Sequence, residues 1–135
     1  MATDTASGLP RLDQINRSFW TSGGEDGQLR ITRCASCAHW LHPPNLRCPE
    51  CGSLDLVPTP VSGRATVATY TVNYQQWATG MAVPYTVAIV ELPEQKGLRL
   101  TTRIINTDKP VEIGQPVKVV FQHREDVWVP LFEPA

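Results

Sequence analysis

The chain lacks an excess of charge of either sign: 12 Lys and Arg stand against 13 Asp and Glu, a formal net charge of −1 over 135 residues. It also lacks any lysine-rich or arginine-rich run, which argues against a general polyanion binder, because neutralised phosphates supply most non-specific affinity. No apolar run approaches the roughly 20 residues that cross a bilayer, so no membrane association is expected. Met1-Ala2-Thr3-Asp4 shows neither the basic stretch nor the apolar core of a secretory signal, and the expected location is the cytoplasm. No Gly-x-Ser-x-Gly elbow occurs. The carboxylates of Asp13, Glu25, Asp26, Asp55 and Glu91 are scattered, with no pair suited to acid-base work. The expectation is therefore that the chain is not an enzyme on its own, a serine outside such an elbow being the open alternative.

Cysteine is scarce, and all of it is grouped. Cys34-Ala35-Ser36-Cys37 is followed after ten residues by Cys48-Pro49-Glu50-Cys51-Gly52, and these four are the whole complement. Each two-residue gap lets a tight turn aim both sulfurs inward, so two such pairs can place four thiolates around one ion. A redox pair would need only one Cys-x-x-Cys opening a helix after a strand. Two disulfides would need an oxidising compartment. The reading is structural Zn2+ on Cys34, Cys37, Cys48 and Cys51. A rubredoxin-like iron centre stays open, since four thiolates suit it as well. His39 and His42 lie beside the site, where a side chain could hydrogen-bond a bound thiolate or face water, and neither is needed as a ligand.

At this length the chain holds one ordinary domain, or two small modules of which one is stapled by metal. The expected division is 1–27 for a tail and amphipathic helix, 28–60 for a zinc ribbon and 61–135 for a β domain. Leu12, Ile15 and Phe19 recur at helical spacing between Pro10 and Trp20, with Ser22-Gly23-Gly24 ending that helix. This helix either packs on the chain's own core or docks on a partner through Trp20. Leu54 to Val57 reads as a short strand and Pro58-Thr59-Pro60 as a stiff link.

Five strands follow. Gly63 to Tyr74 sets Val67, Thr69 and Thr71 on one face, and Pro84 to Leu92 continues the pattern. Gly97 to Ile105 alternates most plainly, with Leu98, Leu100, Thr102 and Ile104 opposite Arg99, Thr101 and Arg103. Val117 to His123 and Asp126 to Phe132 complete the set, Pro130 marking the last as an edge. The fold class is mainly β: an N-terminal helix, a zinc ribbon, then a five-stranded antiparallel barrel of OB-fold kind. The link Asn106 to Pro116 is too short for the helix that many such barrels carry there.

The loop Gln75 to Val83 holds Trp77 and Met81 and no charge, so it either receives an apolar partner or folds back over the barrel end. Tyr74 and Tyr85 flank it and could stack on an adenine or finish the core. Arg99 and Arg103 share a strand face, with Arg64, Lys118 and Arg124 as possible neighbours; together they could hold phosphate or stand solvated.

The order of these pieces resembles the DUF35 family. The residues that carry the resemblance are the helix ending in Phe19-Trp20, Gly27-Gln28-Leu29, both Cys-x-x-Cys pairs, Ser62-Gly63-Arg64-Ala65, Tyr70-Thr71, Pro84-Tyr85, Val90-Glu91-Leu92 and Ile113-Gly114-x-Pro116-Val117. It extends from about Leu12 to Phe132, and departs at Ala38, where the family's knuckle has glycine. The resemblance implies a rubredoxin-like zinc ribbon joined to an OB-fold. It also implies a non-catalytic subunit that binds a thiolase-like enzyme, a thiolase or a lipid-transfer-type aldolase of steroid side-chain degradation, and helps form its acyl-CoA site. Trp20, Tyr74, Trp77, Met81, Tyr85, Arg99 and Arg103 are then the candidate ligand or partner residues. The alternative is a single-stranded nucleic-acid-binding module stacking bases on Tyr70, Tyr74 and Trp77, which the charge balance disfavours.

Overall fold

The computed structural model describes residues 8–135 and holds α1 (Arg17–Asp26), β1 (Arg30–Cys34), β2 (Trp40–Leu41), β3 (Leu56–Pro60), β4 (Arg64–Asn73), β5 (Tyr85–Glu91), β6 (Arg99–Ile104), β7 (Pro116–Arg124) and β8 (Val127–Pro134). The first three strands form an antiparallel sheet in the order β2-β1-β3, and the last five close a barrel in the order β4-β5-β6-β8-β7. Antiparallel pairing of β7 with β4, Ala65 opposite Val117, completes the ring. This is the OB arrangement, with no helix among residues 105–115. No described helix is long and apolar enough to cross a membrane.

Period-two alternation builds the barrel wall. In β6 the side chains of Leu100, Thr102 and Ile104 are buried while Arg99 and Thr101 face out. Inside, they meet Val67, Val90, Val117 and Phe132, and the same buried cluster takes in Phe19 of α1 and Leu29, Ile31 and Trp40 of the ribbon. Helix, ribbon and barrel thus share one apolar core, which a ribbon of this size could not build alone.

The helix lies later than its periodicity suggests. It starts at Arg17 and runs through Ser22, Gly23 and Gly24 to Asp26, where Gly27 takes a left-handed φ of 75° and donates its N–H to the Gly23 carbonyl at 3.1 Å. Gly23 and Gly24 serve close approach instead of termination: a Cβ on Gly23 would sit 2.3 Å from the Phe121 ring, and one on Gly24 2.0 Å from Trp128 Nε1. Pro58-Thr59-Pro60 is not a link but part of β3, opposite Thr32, Ile31 and Arg30. The prolines fit there because β3 is an edge strand.

Two further expectations shift. A bulge between Val67 and Thr69 breaks the alternation of β4, so Val67 is buried while Thr69 and Thr71 are exposed. β8 is an interior strand of the closed barrel, not an edge. Pro130 is accommodated because β6 and β8 pair in parallel only at Ile104 and Phe132, beyond the proline, whose carbonyl accepts a hydrogen bond from Thr102 Oγ1 at 3.0 Å.

Candidate functional site

Two matching turns present the cysteines. Cys34 ends β1, and the Ala38 N–H donates to its carbonyl at 2.8 Å; in the second turn the Gly52 N–H donates to the Cys48 carbonyl at 3.0 Å. Both turns need a left-handed residue, supplied by Ala38 at φ 67° and Gly52 at φ 77°. The alanine therefore keeps the knuckle geometry at the steric cost that a Cβ carries there. Ser36 Oγ and Ser53 Oγ, 2.9 Å apart, tie the turns together, and Arg47 donates to the Gly52 carbonyl at 2.8 Å.

The four sulfurs lie within 4.8 Å of one another, with Cys34 to Cys51 and Cys37 to Cys48 both at 3.6 Å. A Zn–S bond of about 2.3 Å in a tetrahedron implies S–S separations near 3.8 Å, so these residues fit a closed four-thiolate ion. Their electrostatics ask for a cation. Hydrogen bonding from the Cys37 backbone, with further help from Ser36 and the neighbouring thiols, brings Cys34 down to about 6. A backbone donor at His39 favours the Cys37 thiolate, yet burial and the adjoining sulfurs push that thiol up to about 12. Cys51 is raised too, against the pull of the Ser53 backbone, by Cys34 and burial. One negative charge is easily held here, and four require a metal. His42 stays outside this group: its ring packs on Phe19 at 4.7 Å between centroids, and burial lowers its pKa to about 4.

Away from the cysteines, barrel closure gathers some of the sequence candidates and separates others. Tyr74, Tyr85 and Arg103 line one hollow of about 500 Å³, with Arg103 over the Tyr85 ring at 5.5 Å. Lys109 and Asp108 border the same hollow. Lys109 escaped the sequence reading because its link carries no motif and reaches the hollow only through barrel closure. Trp77 is 67% exposed, its Nε1 donating to Asn73 Oδ1 at 3.2 Å, and does not fold over the barrel end. Met81 is half-buried in the same loop, its carbonyl accepting from Gln76 Nε2 at 2.8 Å.

Trp20 sits elsewhere, half-buried and edge-on to Phe19 at 4.9 Å. Arg99 shares a groove with Trp20 and is bridged to Glu91 at 3.0 Å. Arg124 joins Arg103 in an adjoining hollow. Arg64 and Lys118 face one another across β4 and β7, and Lys118 pairs with Glu133 at 3.8 Å.

Residues 21–57 match the family described as ChsH2, rubredoxin-like zinc ribbon domain, and residues 58–122 match ChsH2, C-terminal OB-fold domain. Zinc is accordingly the metal of this ribbon, in keeping with the clustered sulfurs. A probable enoyl-CoA hydratase alpha subunit of Thermomonospora curvata is 37% identical over 93% of this chain, and a 3-oxo-4,17-pregnadiene-20-carboxyl-CoA hydratase alpha subunit of Mycobacterium tuberculosis is 30% identical over 93%. The chain spans 39% of the length of each of these relatives. Among solved structures, a chain of the Ltp2-ChsH2(DUF35) aldolase superposes with a TM-score of 0.81 at 34% identity, covering 93% of this chain and 98% of that one. A Sulfolobus solfataricus DUF35 protein of unknown function shares the fold at a TM-score of 0.57 and 19% identity, covering 84% and 81%. Matched in both its ribbon and its barrel and along nearly all of its length, the chain belongs to the DUF35 family of ChsH2-type zinc ribbon and OB-fold proteins.

Proposed function

We propose that Cys34, Cys37, Cys48 and Cys51 hold one structural Zn2+, and that the chain is a non-catalytic subunit of a cytoplasmic thiolase-like enzyme of the aldolase kind, helping to form its acyl-CoA site. The observation that carries this reading is the near end-to-end likeness to the DUF35 chain of the Ltp2-ChsH2(DUF35) aldolase. The relatives named as hydratase subunits agree in chemistry. A hydratase makes a 3-hydroxyacyl thioester, and retro-aldol cleavage consumes that β-hydroxy carbonyl, so the two reactions are consecutive.

The surface suits such a role. The uncharged loop 75–83 leaves Trp77 67% and Val83 39% exposed, beside Tyr74 at 74%, an apolar area that association would cover. The adjoining hollow offers two aromatic rings for an adenine, and Arg103 and Lys109 for phosphate oxygens. In this assignment the partner supplies nucleophile and base, while this chain excludes water from the entry and steadies the thioester's carrier.

The test is co-purification of the tagged chain from its own cells, with mass spectrometry and metal content read on one sample. A stoichiometric thiolase-like protein with one zinc is expected, and its absence would sink the accessory reading. Trp77→Ala should leave the melting temperature within about 2 °C, as an exposed substitution does, and weaken partner binding by about tenfold or more. A large loss of thermal stability instead would show that the ring is part of the core.

A further inference from the structure

The four sulfurs of the cysteine cluster are unequal. Cys34 and Cys48 are buried, at 0% and 1% exposure, while Cys37 and Cys51 are exposed. Each turn therefore hides its first cysteine and shows its second. The cause is local: Cys34 ends β1 within the ribbon sheet, and the residues between the paired cysteines, Ala35, Ser36, Pro49 and Glu50, all face water.

Each exposed sulfur has a buried one beside it, and that neighbour comes from the other turn. Cys37 lies 3.6 Å from Cys48, and Cys51 lies 3.6 Å from Cys34. Closure round an ion accounts for the short contacts but not for leaving two sulfurs in reach of solvent. A bound zinc keeps its ligand thiols ionised, and an accessible thiolate is the form that oxidants attack. With a second cysteine in contact, the first oxidation product condenses to a disulfide instead of advancing to irreversible acids. The effect would reach the barrel, because Leu29, Ile31 and Trp40 of the ribbon share one core with Phe19 and the barrel strands.

We propose that the cluster is also an oxidant-responsive thiol switch, in which Cys37 and Cys51 are the points of attack by peroxide and Cys48 and Cys34 resolve them across the two turns. The inference rests on the four-cysteine zinc assignment and not on the partner or the acyl-CoA hollow. The Cys37 sulfur attacks one oxygen of hydrogen peroxide, the O–O bond breaks, and hydroxide leaves, giving a sulfenic acid. The Cys48 thiolate then attacks the Cys37 sulfur, the S–O bond breaks, and a second hydroxide leaves. Two thiolates and one peroxide become one disulfide and two hydroxides, which two protons from solvent turn to water. Cys51 and Cys34 react in the same way. Each disulfide withdraws two of the four donors, and it restrains the ribbon less than the closed metal centre does, so Trp40 loosens from the shared core. A thiol reductant returns all four donors.

The purified zinc-loaded chain, titrated with hydrogen peroxide, tests it, with freed zinc read by a chromophoric chelator. Zinc content before the titration checks the underlying assignment separately: a chain isolated with iron or no metal would overturn that assignment and the switch with it. Trypsin cuts after Arg33, Arg47 and Arg64 and so separates the two turns. Disulfides across the turns would hold peptides 34–47 and 48–64 together until reduced, whereas disulfides within a turn would leave them apart. Expected are loss of the zinc, the joined peptides, loss of the native Trp40 indole NMR signal, and recovery of zinc and signal after dithiothreitol and added zinc. Substoichiometric iodoacetamide should label Cys37 and Cys51 before Cys34 and Cys48. Zinc retained at peroxide doses that oxidise dithiothreitol, peptides found apart, labelling that begins at the buried pair, an unchanged Trp40 signal, or zinc loss that reductant fails to reverse would each overturn the proposal.

Discussion

The side-chain amide of Gln95 pairs with both backbone groups of Trp40: the Trp40 N–H donates to Oε1 at 3.0 Å, and Nε2 donates to the Trp40 carbonyl at 2.9 Å. Gln95 stands in the turn between β5 and β6, and Trp40 opens β2, so this two-point contact extends the ribbon sheet onto the barrel. Arg33 stacks over the same indole at 4.7 Å. Gln95→Ala removes both bonds and leaves backbone groups of a buried residue without that partner, for which about 1–3 kcal/mol is expected. Urea unfolding followed by tryptophan fluorescence measures it. Gln95→Glu keeps the acceptor and loses the donor, and should fall between the two.

The zinc site predicts a graded response to metal loss. Cys48 is buried at the ribbon's second turn, and Cys48→Ala removes one of four thiolates. Ribbon folding rests on the ion, on the order of 10 kcal/mol in isolated zinc peptides. The variant should lose zinc, and NMR signals of β1 to β3 should collapse while the barrel strands keep theirs. Chelation of the native chain should reproduce this pattern. A zinc content still near one per chain, with unchanged melting, would remove Cys48 from the ligand set.

Gly24 sets two effects against each other. Alanine in a helix interior ordinarily gains about 1 kcal/mol over glycine. Here the added methyl would lie 2.0 Å from Trp128 Nε1, on a ring that is stacked with His123 at 4.0 Å. Overpacking costs of about 1–3 kcal/mol should therefore win, and Gly24→Ala should be less stable than the native chain. Gly24→Ala combined with Trp128→Ala relieves the clash, so thermal melts of the pair should show strong non-additivity.

These glycines mark where sequence reading reached its limit. Gly23-Gly24 has the composition of a helix end, and nothing local says that Phe121 and Trp128, about a hundred residues on, need the space. The cysteine centre was legible because each knuckle is local, and β6 was legible because its two faces differ in polarity at every step. In β4 the pattern misled, since a bulge after Val67 is set by pairing with β5 and not by the strand's own residues. Pro58-Thr59-Pro60 looked like a spacer because proline cannot donate to a ladder, yet an edge strand tolerates it. The grouping of Lys109 with Tyr74 and Tyr85 depends on barrel closure alone.

His42 gives the fold an acid-sensitive joint. Its ring lies against Phe19, with Pro43 and Arg99 bordering the same groove, and burial drops its pKa from 6.5 to about 4. The unfolded chain therefore takes up a proton near pH 6.5 that the folded chain refuses until about pH 4, so stability falls as pH drops through that window. With the ring's remaining exposure allowed for, the loss is on the order of 2 kcal/mol between neutral pH and pH 4. Zinc release also begins in acid, so the comparison must be made against His42→Phe, which keeps a ring on Phe19 and cannot titrate. The denaturant midpoint of the native chain should fall relative to that of His42→Phe as pH goes from 7 to 5, with zinc content checked at each point. Parallel pH profiles would mean that the imidazole takes up its proton at the same pH in the folded and unfolded chain and that its contact with Phe19 does not exclude water.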